Sequence, residues 1–158
     1  MPTLVWSDAL KLDNPRMDAT HVEFVDLLTR LENAPDDEQL PRYRQLVQHT
    51  VEHFGQEDRW MQLTGFAPEN CHQSQHRQGL QGLQGIERQL LEGQAVDLRR
   101  LVGELGAWFE HHAQTMDAAL AFHCAQVGFD TATEQIHGEA AAALPAQAIT
   151  GCGSHSCG

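Results

Sequence analysis

The chain has no run of roughly 18 or more apolar residues, so the sequence predicts no transmembrane helix. Its first residues, MPTLVWSDALKLD, have neither a basic start nor an apolar core segment, which argues against a secretory signal. Positive charge is scarce: 10 Lys+Arg stand against 22 Asp+Glu, for a formal net charge of -12. Nucleic acids and anionic membrane surfaces both demand clustered positive charge, so the composition excludes both as partners. Cysteine is sparse as well. Cys71, Cys124, Cys152 and Cys157 form no framework pattern, which argues against a disulfide scaffold and makes a cytoplasmic location the expectation.

What the chain does have is histidine. It carries ten, more than its six Phe, four Met or three Trp, and most fall on segments with helical periodicity. A length of 158 residues with 41% hydrophobic content fits one domain around one core. Four amphipathic segments with short connections predict an all-α, up-down-up-down four-helix bundle of residues 1–128. An N-terminal arm carrying Trp6 precedes it, with Trp6 expected as an anchor across the bundle.

The first helix is expected from Asp18 or Thr20 to about Asn33, with Val22, Val25, Leu28 and Leu31 as its apolar stripe. The second runs from Asp36 to Thr64, with Gly65 as C-cap. The third runs from Pro68 to about Gly93 and contains Gly79, Gly82 and Gly85, each costing about 1 kcal/mol of helix stability against alanine. That spacing fits either a close helix approach or a Gln/Gly-rich solvent face. The fourth runs from Ala95 to Val127 and buries Trp108, Phe109, Leu120 and Phe122. Beyond it, Asp130 or Thr131 with Glu134 reads as a capping box opening a short helix through the alanines to Leu144. Residues 129–158 thus form a C-terminal extension, ending in the flexible GCGSHSCG tail. Cys152, His155 and Cys157 there fit a soft-metal site, a small disulfide loop or a tail without function.

Each helix sets polar residues on its inner face. His53 and Glu57 lie four apart, as do His72 and His76, so each pair stacks one turn apart. His21 faces the core one turn before Val25. His112 and Asp117 lie five apart, about 500° of α-helical turn, so they are expected to flank the inner face rather than stack. Any one of these histidines fits a hydrogen-bonded core residue. Burying five imidazoles and two carboxylates without partners costs several kcal/mol each, and a metal centre relieves the cost for all seven at once. Seven nitrogen and oxygen ligands are too many for one tetrahedral zinc, and no thiolate is placed among them, which argues against an iron–sulfur cluster. Two six-coordinate ions fit, bridged by both carboxylates and an oxide or hydroxide. Three histidines then serve one ion and two the other, with one position left open. Histidine with carboxylate favours iron or manganese.

In these residues the sequence resembles the bacterial hemerythrins, a family of di-iron oxygen-binding proteins. The matching features are Trp6, MDATH ending at His21, HFGQED with His53 and Glu57, HQSQH with His72 and His76, and WFEHHAQTMD with His112 and Asp117. The resemblance covers residues 1–128. It implies two iron ions per chain with an oxo or hydroxo bridge, one held by His72, His76 and His112, the other by His21 and His53. Glu57 and Asp117 bridge them, and O2 is the ligand of the open iron. Phe109 stands where the family commonly has leucine in the oxygen pocket, and Ala113 where isoleucine is common, which bears on oxygen affinity and autoxidation.

The expected function is therefore reversible oxygen binding for carriage, storage or delivery by a monomer, without a catalytic residue. The alternatives are an oxygen or redox sensor acting through a protein partner, and a di-iron peroxidase or oxidase. A ferritin-like site built on Glu69 with His72 and Glu134 with His137 leaves His21, His53, His76 and His112 unexplained.

Overall fold

A computed structural model describes residues 2–66 and 70–137 of the chain. Its first long helix is set by Asn14. The Asn14 side chain accepts a hydrogen bond from the Met17 N–H at 3.2 Å, and Pro15 occupies the first helical position, where a missing N–H is no loss. Helix α1 therefore spans Pro15–Glu32, starting a turn earlier than expected. Asp18, expected as a cap, instead accepts from the Leu12 backbone at 2.8 Å and fastens the incoming arm. The buried stripe runs through Met17, His21, Phe24, Val25, Leu28 and Leu31. Val22 is off it and 42% exposed, because a stripe centred on positions 21, 24, 25 and 28 leaves position 22 on the flank.

Helix α2 spans Asp36–Leu63, with Asp36, Asp37 and Glu38 in its first turn, where acidic side chains oppose the helix dipole. Gly65, at φ 93°, ends it in the left-handed conformation that glycine adopts without strain. Helix α3 spans Cys71–Leu91 and is capped by the Asn70 side chain, which accepts from Gln73 N–H at 2.9 Å. Cys71, its first residue, is disulfide-bonded, a crosslink that the sparse cysteine pattern does not announce. Cys124 is a free, buried thiol.

The fourth rod is not one α-helix. Helix α4 spans Leu98–His112, a π turn follows over Ala113–Asp117, and helix α5 continues over Ala118–Gln126. Phe122, expected inside, is 67% exposed, while Leu120, Ala121 and Cys124 face the core. α1 packs on α2 and on α4, and α2 on α3, giving the expected four-helix bundle. Two apolar clusters fill it. One surrounds Phe24, Leu28, Tyr43, Leu46 and Phe109, and the other surrounds Met17, Trp60, Met61, Leu120 and Phe129. Along α1, α2 and the fourth rod, the predicted polar positions fall between the two.

The arm is held as the sequence leads one to expect. Leu4 and Trp6 pack against the first cluster, and Leu10 is buried in it. The arm crosses α4 at Gly106, where a Cβ would stand 3.5 Å from that of Leu4. No helix among the described residues is long and apolar enough to cross a membrane.

The extension departs from expectation. No capping box forms at Asp130, Thr131 and Glu134. Phe129–Asp130 (β1) pairs antiparallel with Gln135–Ile136 (β2), and Glu134 sits in the tight turn with φ 56°. The reason lies on α2. The indole N–H of the fully buried Trp60 needs an acceptor, and Glu134 provides it at 3.2 Å while forming an ion pair with Arg59. The rest of the expected helix, through Leu144, and the Cys152, His155 and Cys157 tail lie outside the described residues. Replacing Glu134 with Ala should leave the Trp60 N–H unpaired and cost about 1–2 kcal/mol in urea unfolding. Glu134→Gln should recover much of this, since the amide still accepts.

Candidate metal centre

Each of the four rods delivers part of one cluster. α1 supplies His21, α2 supplies His53 and Glu57, α3 supplies His72 and His76, and the fourth rod supplies His112 and Asp117. All seven side chains are buried. The i,i+4 pairs stack as their spacing predicts, with His53 Nε2 2.9 Å from Glu57 Oε1.

His112 and Asp117 do not flank the inner face as an uninterrupted α-helix requires. The π turn between them carries i→i+5 hydrogen bonding, so residues five apart stack as residues four apart do in an α-helix. His112 Nε2 then lies 3.1 Å from Asp117 Oδ1.

Glu57 and Asp117 are the shared centre. His72 Nε2 lies 2.9 Å from Asp117 Oδ1 and 3.3 Å from Glu57 Oε2. His76 Nε2 lies 3.3 Å from Glu57 Oε2. From the other side, His21 Nε2 approaches Asp117 Oδ2 at 3.1 Å and Glu57 Oε1 at 3.5 Å. Two overlapping ligand groups result, each with its donor atoms within 4.8 Å of one another: Glu57, His72, His76, His112 and Asp117, and His21, His53, Glu57 and Asp117. The two carboxylates belong to both.

Beyond these seven, the structure brings in residues that the sequence reading did not assign to the site. Asp58 Oδ1 accepts from His76 Nδ1 at 2.7 Å, and Gln75 Oε1 accepts from His112 Nδ1 at 2.8 Å. Each fixes the tautomer and plane of its imidazole. Their signal in the sequence is weak: Asp58 follows Glu57 and Gln75 precedes His76, but only helix adjacency tells which imidazole each meets. The Phe54 ring stacks on His76 at 4.0 Å and Trp108 on His112 at 4.7 Å. Phe109 meets His21 edge-on at 5.1 Å and lies 4.5 Å from Phe24. Glu134, the acid of the ferritin-like alternative, turns instead to Arg59 and Trp60, and Glu69 lies outside the described residues.

The donor set fits a cation. With both Nδ1 atoms already hydrogen-bonded, the Nε2 atoms of His76 and His112 face each other across 3.2 Å and turn toward the two carboxylates. Glu57 Oε2, both Asp117 oxygens and His21 Nε2 are buried and make no hydrogen bond, close as they lie to one another. The protonation pattern agrees. Burial disfavours a charged imidazole, yet the facing Asp117 and Glu57 carboxylates outweigh it and raise His21 to about 10 and His72 to about 9. Burial likewise opposes ionisation of both carboxylates, as does their mutual repulsion at Asp117. The surrounding imidazoles still hold both well below the usual carboxylate range.

Comparison with known proteins gives one family match and one curated relative. The family described as Hemerythrin HHE cation binding domain matches residues 13–121, a span that contains all seven residues. The relative is a bacteriohemerythrin from Ralstonia nicotianae (strain ATCC BAA-1114 / GMI1000). It is 34% identical over 134 residues, which cover 85% of this chain and 98% of the relative. No solved structure matches the chain significantly.

Two tests probe the centre. Asp58→Ala and Gln75→Leu should each lower metal affinity by about 10–100-fold, read by competition with a chelator. Metal must also displace the protons held by His21 and His72, so uptake should release protons and tighten with pH up to about 9 to 10, read by calorimetry in buffers of different ionisation enthalpy. The sign for the metal-free fold is the reverse. The raised imidazoles stabilise it below pH 6.5, and that contribution disappears as pH rises through about 9 to 10.

Proposed function

The chain belongs to the hemerythrin HHE cation-binding family, and we propose that it is a non-haem di-iron protein that binds O2 reversibly, for carriage, storage or delivery. The observation that carries this reading is the pair of overlapping ligand groups sharing Glu57 and Asp117 in a buried bundle centre. In this reading His72, His76 and His112 would hold one iron and His21 and His53 the other, with Glu57 and Asp117 shared between the two groups. Bound there, the iron pair would supply the electrons and the binding atom that reversible oxygen uptake takes. All seven side chains come from one chain, so one copy completes the site, within the unit formed by residues 1–128.

The protein's own work is positioning and exclusion. Asp58 and Gln75 hold the His76 and His112 rings on the side with more imidazoles. The Nδ1 atoms of His21 and His53 make no hydrogen bond among the described residues, so no partner at Nδ1 orients those two rings. Its wall is aromatic. Phe109 and Phe24 keep water from the His21 side, and a dry pocket limits loss of a reduced oxygen species and permanent oxidation of the metal.

The first test is the visible spectrum of the anaerobically reduced, iron-loaded protein before and after admitting oxygen, and after removing it. A band that comes and goes with oxygen is expected. A band that persists after oxygen is withdrawn sinks reversible binding. His112→Ala should cost one of the two irons, read as the iron-to-protein ratio, and full retention contradicts the ligand assignment. Phe109→Leu should speed autoxidation several-fold at unchanged iron content, because a smaller side chain admits water beside His21.

A further inference from the structure

A cation does not cross an apolar wall, because losing its water without replacement costs far more than the wall returns. Phe24 and Phe109 pack at the His21 side of the centre, and Phe54 and Trp108 cover His76 and His112. A polar break lies on the seam between α1 and α2. There His49 stands one turn before His53, and Glu57 one turn after it, so donor side chains follow one another along α2 about 6 Å apart. The His49 and His53 rings meet edge-on with centroids 5.9 Å apart. From α1, Glu23 Oε2 accepts a hydrogen bond from His49 Nε2 at 3.2 Å. Exposure falls along the same line: 65% for the Glu23 side chain, 15% for His49 and 1% for His53.

We propose that Glu23 and His49 form an outer docking site for divalent iron, from which the ion passes to His53 and Glu57 and so into the centre. The inference rests on the metal-binding part of the reading above and not on its oxygen chemistry. Three observations carry it.

The first is the donor chemistry of His49. With Nε2–H donating to Glu23, the ring's lone pair is on Nδ1, which is buried and makes no hydrogen bond among the described residues. Burial, and next the nearby His53, lower the His49 pKa from its ordinary value despite Glu23, so the ring is neutral near neutral pH. It therefore offers one nitrogen beside an exposed carboxylate and a second, unpaired one inside. A neutral imidazole with a carboxylate suits Fe2+, and a site of only two protein ligands leaves the ion most of its waters and lets it go again.

The second is the freedom of the receiving ring. Asp58 and Gln75 fix His76 and His112 at Nδ1, whereas His53 Nδ1 has no hydrogen bond among the described residues, so that ring turns toward an incoming ion without losing one. Asp58 is also a partly exposed carboxylate beside the centre, but it holds His76 at Nδ1, while Nε2 is the nitrogen that faces Glu57. It locks a ligand rather than passing an ion on.

The third is the field at the mouth. Glu23 and Glu52 both act on His49 through their charge. A mouth of one sign raises the local concentration of the opposite ion and its rate of entry.

The test follows loading of the metal-free full chain with Co2+, whose visible absorption reports occupancy of a nitrogen and oxygen site, and unloading by a chelator. His49→Phe keeps a ring beside Phe24 and His53 but removes both nitrogens. Glu23→Gln removes the anion at an exposed position, which keeps the test open should His49→Phe fail to fold. Glu104→Gln makes the same charge change on α4. Both seam variants should take up Co2+ about tenfold more slowly than the wild type and release it more slowly by the same factor, with the affinity and the number of ions bound unchanged. Glu104→Gln should load at the wild-type rate. Fe2+ under argon should give the same order, read as iron bound at timed chelator quenches. Wild-type uptake rates in both seam variants overturn the docking site. So does a loss of affinity through faster release at unchanged uptake, which makes His49 a positioning residue for His53. A wild-type chain that binds neither Co2+ nor Fe2+ overturns the metal reading and the docking site together, which keeps the two failures apart.

Discussion

Glu57 and Asp117 lie fully buried at the centre of the bundle, and the groups placed against them are imidazoles rather than lysine or arginine. Two carboxylates held ionised in a dry interior need compensating positive charge close by. In the metal-free protein that charge comes from protons on His21 and His72. The Nε2 atoms of His76 and His112 face each other across 3.2 Å beside the same carboxylates. A pair of cations satisfies all of these atoms together. The helices, their caps and the two apolar clusters are arranged around that requirement.

Helix geometry meets it in two ways. On α2 and α3 the ordinary four-residue repeat stacks His53 with Glu57 and His72 with His76. On the fourth rod the spacing is five, and the backbone widens to a π turn so that His112 and Asp117 still meet. A π turn has poorer backbone packing than an α-helix and persists where something local rewards it. Here it brings the second shared carboxylate between the imidazoles of α1 and α3.

The two halves of the centre are built differently. His76 and His112 are each oriented by a hydrogen bond from Nδ1 and by a stacked aromatic ring. His21 and His53 have no such hydrogen bond among the described residues, and Phe24 and Phe109 crowd the His21 side. One half is a fixed, hydrogen-bonded seat. The other is walled by the packed rings of Phe24 and Phe109.

Periodicity alone determined much of this. Apolar repeats of three and four residues define four helices, and inward polar positions on the same repeats single out His21, His53, Glu57, His72, His76, His112 and Asp117. Those features are local, because a helix converts sequence spacing directly into direction. Tertiary structure decided the rest. The π turn was hidden because a five-residue spacing is compatible with an unbroken helix until Asp117 has partners on other helices. Asp58, Gln75 and the Phe109 contact with His21 depend on which helices are neighbours, which no single segment encodes. Glu134 belongs to the same class. Its spacing from Asp130 and Thr131 fits a helix cap, and only the buried indole of Trp60, 74 positions away in sequence, draws it into a turn instead.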